Sequence, residues 1–172
     1  MSAHPLEVSA PAPGKAMKFL QPRFPQIGRA GDGPRAIFCA ASGQGKSSAA
    51  MKFMEEYLRI CERIYIVSTT IHLDKGYEHM KQLIKKKYQD EDVDIEDAQD
   101  NPFHDDLSAL PMIVNGMIKR TREAQDQGDS HAPLTLVLLD DVAAGSGSSG
   151  TRYNEDVLRL FTQSRHSGGV IL

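Results

Sequence analysis

The residue types best suited to chemistry occur together in a short, glycine-bearing loop that ends in a lysine and two serines. This glycine loop consists of Ser42, Gly43, Gln44, Gly45, Lys46, Ser47 and Ser48. Glycines let a backbone curl closely enough for its N–H groups to surround phosphate oxygens. The lysine would bring a positive charge to the β- and γ-phosphates, and the Ser47 hydroxyl would bind Mg²⁺. The pattern therefore predicts a site for a nucleoside triphosphate and Mg²⁺.

The residues on either side of the glycine loop favour the strand, loop and helix order that a phosphate-binding loop, or P-loop, requires. The apolar run 36–40 before it is typical of a core strand and contains Cys39. Apolar residues after it recur at helical spacing as far as Leu58, and the N-terminal dipole of that helix would point at the anion. Ala40 stands where the usual motif begins with glycine. The alternative interpretation is a glycine-rich turn before an ordinary helix.

A second chemical element is the pair Asp140 and Asp141, which follows the apolar run 134–139. An uninterrupted run of this kind is typical of a strand buried on both faces of a parallel sheet, and such sheets bind ligands at the carboxyl ends of their strands. Asp140 is therefore expected to hold Mg²⁺ as a Walker B aspartate. Asp141 would orient the attacking water and take its proton. The alternative is an acidic turn at the end of a strand.

Weaker candidates follow other predicted strands and helices. Arg165 precedes the last apolar segment and would stabilise transition-state charge as an arginine finger does. A surface arginine at a helix C-terminus is the alternative. Thr69, His72 and Asp74 come after the second predicted strand, at the same sheet edge, and are interpreted as solvated loop residues. Contact of these residues with phosphate or water is the alternative. The acidic stretch 90–100 is likewise interpreted as a solvated loop, not a metal site.

Strands and helices alternate from residue 35 onwards, so the sequence predicts an α/β fold with three layers and a mainly parallel sheet. The predicted strands are 36–40, 63–67, 134–139 and 169–172. Four helices are predicted. The first follows the glycine loop, and the second begins near Tyr77. The third spans 107–125 with Pro111 in its first turn, and the fourth is a short segment around 157–161. Residues 1–34 are rich in proline and lack a hydrophobic period, which predicts a disordered arm ahead of one domain over 35–172.

Bulk properties set limits on partners and location. The 172 residues carry a formal net charge of −3, so contact with nucleic acid would need a local basic patch or the inner surface of an oligomer. The chain has only two cysteines, which indicates reduced thiols, and it shows neither a membrane-spanning apolar run nor a secretory leader. We therefore expect a soluble, intracellular protein without a membrane partner. The sequence lacks an Asn-Lys-x-Asp run, which favours ATP over GTP.

Taken together, four segments resemble the genome-packaging ATPases of large double-stranded DNA viruses of the poxvirus type, which belong to the FtsK/HerA group of P-loop DNA pumps. The segments are 40–47, 64–74, 137–141 and 160–166, and the resemblance covers about 35–172. It implies an ATP-hydrolysing motor that works as a homo-oligomeric ring and drives double-stranded DNA into a capsid. It also implies a capsid or portal protein as a further partner. The location that it implies for the chain is the host cell cytoplasm or the viral assembly site.

The resemblance also implies a role for each candidate residue. Lys46 and Ser47 would bind phosphate and Mg²⁺, Asp140 would be the Walker B acid, and Asp141 would be its catalytic neighbour. Arg165 would belong to the Arg-His motif of the family.

Two features depart from the family pattern and leave other functions open. The family would continue past Leu172 with a polar sensor residue and at least one more strand, so the expected fold is a P-loop NTPase truncated after its fourth core strand. The arm 1–34 has no identified counterpart. One alternative function is a P-loop nucleotide-binding switch or regulatory protein that moves no DNA. Another is a small-molecule kinase, although no lid arginines can be picked out.

Overall fold

The chain folds as alternating helices and strands. The computed structural model describes residues 35–39, 41, 43–97, 100–129, 133–142 and 150–172, with the backbone alone for 150–154 and 165. The helices are α1 Lys46–Tyr57, α2 Glu78–Asp90, α3 Leu110–Asp126 and α4 Gly150–Gln163. The strands are β1 Arg63–Ser68, β2 Phe103–His104, β3 Thr135–Asp140 and β4 Gly169–Ile171. Within these ranges, no helix combines the length and the apolar character needed to cross a bilayer.

The four strands form one parallel sheet in the order β2-β1-β3-β4. The longest pairing joins β1 to β3, from Arg63 opposite Thr135 to Ser68 opposite Asp140. Beyond β4, Arg35 forms an isolated parallel bridge with Ile171. Because all of these strands run in the same direction, their carboxyl ends meet at one edge of the sheet.

Helices cover both faces of this sheet, as the sequence predicts for an α/β fold with buried parallel strands. On one face, α1 and α2 pack against Ile64, Ile66, Leu136, Leu138 and Val170. On the other face, α3 and α4 pack against Tyr65, Val67, Val137 and Ile171. Alternate residues of each strand thus enter opposite cores, which explains why β1 and β3 are continuous apolar runs in the sequence.

The predicted helices and strands are confirmed in most of the chain, with differences at their ends. The predicted helix 107–125 begins with the 3₁₀ turn Leu107–Ala109, and α3 then starts with Pro111 in its first turn. The last helix is longer than predicted, because α4 already begins at Gly150. Strand β2 is not among the strands predicted from the sequence, because it is only two residues long. The predicted arm 1–34 lies outside the described residues.

The prediction of a core strand over 36–40 is wrong for the described residues of that segment. Residues 36–39 have no regular strand assignment, and the pairing is limited to the bridge at Arg35 and a 2.9 Å hydrogen bond from the Ala36 N–H to the Ile171 carbonyl. Phe38 packs against the α1 side of the core, but Cys39 is exposed and Ile37 is 79% exposed. The segment lies at the edge of the sheet, so one of its sides has no described strand neighbour. Ala40 lies outside the described residues.

Beyond the end of α2, the acidic stretch 90–100 is the exposed loop that the sequence predicts at most of its described positions. Val93 and Ile95 are half-buried against the core, and Asp100 forms an ion pair. The Asp100 carboxylate accepts a 2.7 Å hydrogen bond from Arg63 Nε, and both side chains are less than one-third exposed. This ion pair attaches the loop to the first residue of β1. Asp100 therefore has a structural partner that the composition of the loop does not reveal.

Gly169 provides a test of the packing between β4 and its neighbours. A Cβ atom at this position would overlap the Ser164 side chain and lie 2.8 Å from the terminal methyl group of Met117. We expect Gly169→Ala to lower the free energy of unfolding by about 1–3 kcal/mol, as overpacked core substitutions do. Urea denaturation followed by circular dichroism would measure the change.

Gly116→Ala is the matched control for that substitution. The nearest atom to a Cβ at this position is the outer end of the Arg120 side chain, 3.2 Å away, and alanine favours a helix interior by about 1 kcal/mol over glycine. The control should be neutral or stabilising. Equal stability of the wild type and Gly169→Ala would contradict the close packing.

Candidate functional site

The candidate site lies at the carboxyl edge of the sheet, where three separate segments meet. The glycine loop enters α1 at Lys46, β3 ends at Asp140, and β1 ends at Ser68. An ion pair of 3.8 Å between Lys46 Nζ and Asp141 Oδ1 joins the loop to the end of β3. The structure therefore brings together the two chemical elements that the sequence places far apart.

The backbone of the glycine loop takes a left-handed conformation at both of its glycines. Gly43 and Gly45 have φ values of 76° and 75°, a left-handed conformation that favours glycine. A Cβ built on either residue would meet no atom within 4 Å, so the space above the loop is open. Gly45 is the N-cap of α1 and supplies no side-chain hydrogen bond to the helix. The first N–H groups of α1 can therefore bind an anion, and the helix dipole favours one there.

Lys46 pairs loosely with Asp141. The side chains are 37% and 53% exposed, and the distance of 3.8 Å is long for a charge-assisted hydrogen bond. Exposed ion pairs of this kind contribute about 0–1 kcal/mol. A triphosphate at the loop could therefore replace Asp141 as the partner of Lys46 at little cost.

Asp141 is held by its backbone more than by its side chain. Its φ of 52° is left-handed, a conformation that aspartate adopts more readily than most residues with side chains. Its backbone carbonyl accepts a 3.1 Å hydrogen bond from Thr69 Oγ1. Thr69, which the sequence analysis interprets as a solvated loop residue, is exposed but has this structural contact. The bend at Asp141 directs its carboxylate towards Lys46.

Asp140 is buried, with only 5% of its surface exposed. The Tyr77 hydroxyl donates a 2.7 Å hydrogen bond to Oδ2 of this carboxylate. Ser68, which is opposite Asp140 in the sheet, lies 3.2 Å from the Tyr77 oxygen and 3.1 Å from Thr70 Oγ1. A buried charge without hydrogen bonds would be costly, so Tyr77 makes the carboxylate tolerable at this position.

Tyr77 is a site residue that the sequence analysis missed. Its spacing to Met80 and Ile84 assigns it to the buried face of a helix, and its ring does lie in that core. Burial, and to a smaller extent the negative Asp140, raise the pKa of Tyr77 to about 12, against an opposing effect of the Ser68 hydroxyl. The phenol is therefore protonated at neutral pH and can donate to the carboxylate. Only the hydrogen bond, which no periodicity reveals, distinguishes Tyr77 from an ordinary core tyrosine.

The remaining predicted site residues are placed with less detail. Ser47 is half-buried and Ser48 is exposed, both in the first turn of α1, and the Gln44 N–H donates to the Ala41 carbonyl at 3.2 Å. Ser42 lies outside the described residues. Arg165 belongs to the short 3₁₀ helix Ser164–His166 after α4, and its side chain is also outside the described part. Its role as an arginine finger stays a prediction.

The donor set suits a metal that is bound together with a nucleotide. Among the residues described, no group of three or more His, Cys, Asp or Glu side chains could hold a metal ion. Mg²⁺ in nucleotide sites needs no such group, because it is held by one or two carboxylates, phosphate oxygens and water. Buried Asp140 and the Ser47 hydroxyl fit that requirement.

Comparison of the chain with protein-family models, with curated proteins and with solved structures finds no match. The resemblance to packaging ATPases therefore rests on the four sequence segments alone.

The raised pKa of Tyr77 leads to a prediction about alkaline pH. An unfolded tyrosine ionises near pH 10.0, whereas Tyr77 in the folded chain ionises near pH 12. The protonated Tyr77 side chain therefore stabilises the folded state in full below pH 10, and this stabilisation is lost as the pH rises towards 12. We expect the stability difference between the wild type and Tyr77→Phe to narrow over this range.

Urea denaturation of both proteins at a series of pH values would measure this difference. Other tyrosines with raised pKa values, such as Tyr65 and Tyr88, are present in both proteins, so their effect cancels. Parallel stability curves for the two proteins would contradict the assignment.

Proposed function

We propose that this chain binds ATP with Mg²⁺ at the carboxyl edge of its sheet and hydrolyses it as a P-loop ATPase. The observation that carries the proposal is the ion pair of 3.8 Å between Lys46 and Asp141. It places the positive end of the glycine loop beside the carboxylate pair at the end of β3. A lysine, an uncapped helix N-terminus and two adjacent carboxylates are the groups that phosphoryl transfer from a nucleotide uses.

Each residue has a separate task in this proposal. The N–H groups of the glycine loop hold the phosphates, and Lys46 neutralises charge on the β- and γ-phosphates. Ser47 and Asp140 are the residues that would hold Mg²⁺. When bound, the metal neutralises the charge that develops on the phosphate oxygens.

Asp141 has the role of general base. In the structure its carboxylate is paired with Lys46, and a bound triphosphate would compete for that lysine. Once released, the carboxylate can accept a hydrogen bond from the attacking water and take its proton as the water bonds to the γ-phosphorus. The bond between the γ-phosphorus and the β,γ-bridging oxygen breaks in the same step, so that ADP leaves. Loss of the lysine partner thus couples nucleotide binding to the availability of the base.

The choice of nucleotide and the work done with it rest on the sequence. The absence of an Asn-Lys-x-Asp run supports ATP over GTP. The resemblance to packaging ATPases supports a motor that moves double-stranded DNA as a homo-oligomeric ring. With a net charge of −3, the chain would need a local basic surface for the DNA.

The test of the motor function is ATP hydrolysis with and without double-stranded DNA. The proposal predicts that DNA stimulates phosphate release. Hydrolysis that is insensitive to DNA would instead support a nucleotide-dependent switch, and transfer of phosphate to an added small acceptor would support a kinase.

Replacement of Lys46 tests the nucleotide site. Lys46→Ala should weaken ATP binding at least about tenfold, because hydrogen bonds to charged groups contribute about 1.5–3 kcal/mol. Titration with a fluorescent ATP analogue would measure the affinity. Lys52→Ala, which removes a 70% exposed lysine from the same helix, is the control and should bind like the wild type. Unchanged affinity of Lys46→Ala would overturn the phosphate-binding assignment.

Replacement of Asp141 separates binding from turnover. Asp141→Asn keeps the size of the side chain but removes the base, so ATP affinity should be preserved. The hydrolysis rate should fall at least about 100-fold, the lower end of what a general base contributes. Phosphate release under saturating ATP would measure the rate.

Asp126→Asn, at an exposed acid that ends α3 on the side of the amino end of β3, is the control for that experiment and should hydrolyse ATP normally. Retained hydrolysis by Asp141→Asn would remove Asp141 from the catalytic role.

A further inference from the structure

Tyr77 connects the start of α2 to the end of β3 through its hydroxyl group. The side chain is 1% exposed, and its hydroxyl lies 2.7 Å from Asp140 Oδ2. An ionised carboxylate can only accept hydrogen bonds, so the single phenolic proton belongs to Asp140. The Ser68 hydroxyl, 3.2 Å from the phenol oxygen, is then free to donate to it. The result is a hydrogen-bonded chain in which each group fixes the next.

The backbone around Tyr77 gives the hydroxyl a fixed position. Tyr77 ends the 3₁₀ helix Lys75–Tyr77, whose N-cap Asp74 accepts a 2.7 Å hydrogen bond from the Gly76 N–H. The Tyr77 N–H also donates to the Asp74 carbonyl at 3.2 Å. Its ring is packed among core residues that include Ile71 and Met80. Because Tyr77 is buried and the backbone around it is hydrogen-bonded, the position of its hydroxyl restricts the rotation of the Asp140 carboxylate.

The contact engages one oxygen of Asp140 and not the other. Tyr77 bonds to Oδ2, so Oδ1 is the oxygen that the Tyr77 hydroxyl does not occupy. A carboxylate that binds Mg²⁺ needs one oxygen towards the metal, and a hydrogen bond on the other oxygen fixes its rotation. Such outer partners of metal ligands typically change metal affinity by about 10–100-fold when they are removed.

We propose that Tyr77 is a positioning residue for Asp140, which orients the carboxylate for Mg²⁺ in the nucleotide complex. The inference rests on the proposed function. It assigns to Tyr77 a role that differs from that of Tyr88, another fully buried tyrosine. The Tyr88 hydroxyl lies 2.7 Å from the Ile64 nitrogen and 3.1 Å from the Ile64 carbonyl oxygen, so it bonds backbone within the core.

The test compares Tyr77→Phe with Tyr88→Phe in the full chain. Each variant keeps a buried ring and loses one hydroxyl, so a purely structural effect would appear in both. Two affinities are measured: that for ATP in the presence of EDTA, and that for Mn²⁺ at saturating ATP by electron paramagnetic resonance. We expect Tyr77→Phe to bind metal-free ATP like the wild type but to lose at least about tenfold in Mn²⁺ affinity. Tyr88→Phe should keep both affinities.

A second readout does not depend on the folding of Tyr77→Phe. Mg²⁺ is added to the complex of ATP with Tyr88→Phe, in which Tyr77 is intact. The ultraviolet absorbance of the remaining buried tyrosines should change, because the metal withdraws electron density from the Asp140 carboxylate, which accepts the hydrogen bond of the Tyr77 hydroxyl. Equal Mn²⁺ affinities for the two variants, or no absorbance change with Mg²⁺, would overturn the positioning role.

Failure of the proposed function has a different signature. A wild-type chain that binds no ATP would overturn both the function and the role of Tyr77. A wild-type chain that binds ATP and Mn²⁺, together with a Tyr77→Phe variant that binds both equally well, would overturn the role of Tyr77 alone.

Discussion

The parallel pairing of β1 with β3 is the constraint on which the rest of the structure depends. The two strands are matched along six residue pairs, from Arg63 opposite Thr135 to Ser68 opposite Asp140. Parallel strands must be connected by crossovers, which place helices over both faces. The same direction also brings the ends of both strands to one edge, where α1 begins. The fold thus produces a site of charged and hydroxyl groups as a consequence of how it buries its apolar strands.

The buried carboxylate of Asp140 imposes the second constraint. Only 5% of the surface of Asp140 is exposed, so its carboxylate has little contact with water. A tyrosine from a different segment of the chain donates a hydrogen bond to it instead. The connection between β1 and α2 therefore contacts the last residue of β3 through the Tyr77 hydroxyl and the residue after β3 through the bond from Thr69 to the Asp141 carbonyl. A movement of Asp140 or Asp141 would therefore also displace the segment that leads into α2.

The sequence predicts those parts that depend on local patterns, and it misses those that depend on packing between distant segments. The apolar runs of β1 and β3 and the helical spacing of α1 need no partner to be recognised, and the structure confirms them. The segment 36–40 has the same apolar character, but its place at the sheet edge leaves Ile37 and Cys39 exposed. Tyr77 was missed as a site residue, and Thr69 was interpreted as solvated, because their hydroxyl contacts span more than sixty positions in the chain.

A crystal structure of the chain with Mg²⁺ and a non-hydrolysable ATP analogue is the most direct test of the proposed nucleotide site. We expect the β- and γ-phosphates to lie on the N–H groups of the glycine loop, with Mg²⁺ on the side of Asp140. We also expect Lys46 Nζ to have left Asp141 for a phosphate oxygen. A nucleotide bound elsewhere, or a Lys46 that still pairs with Asp141 beneath the bound phosphates, would contradict the proposed site.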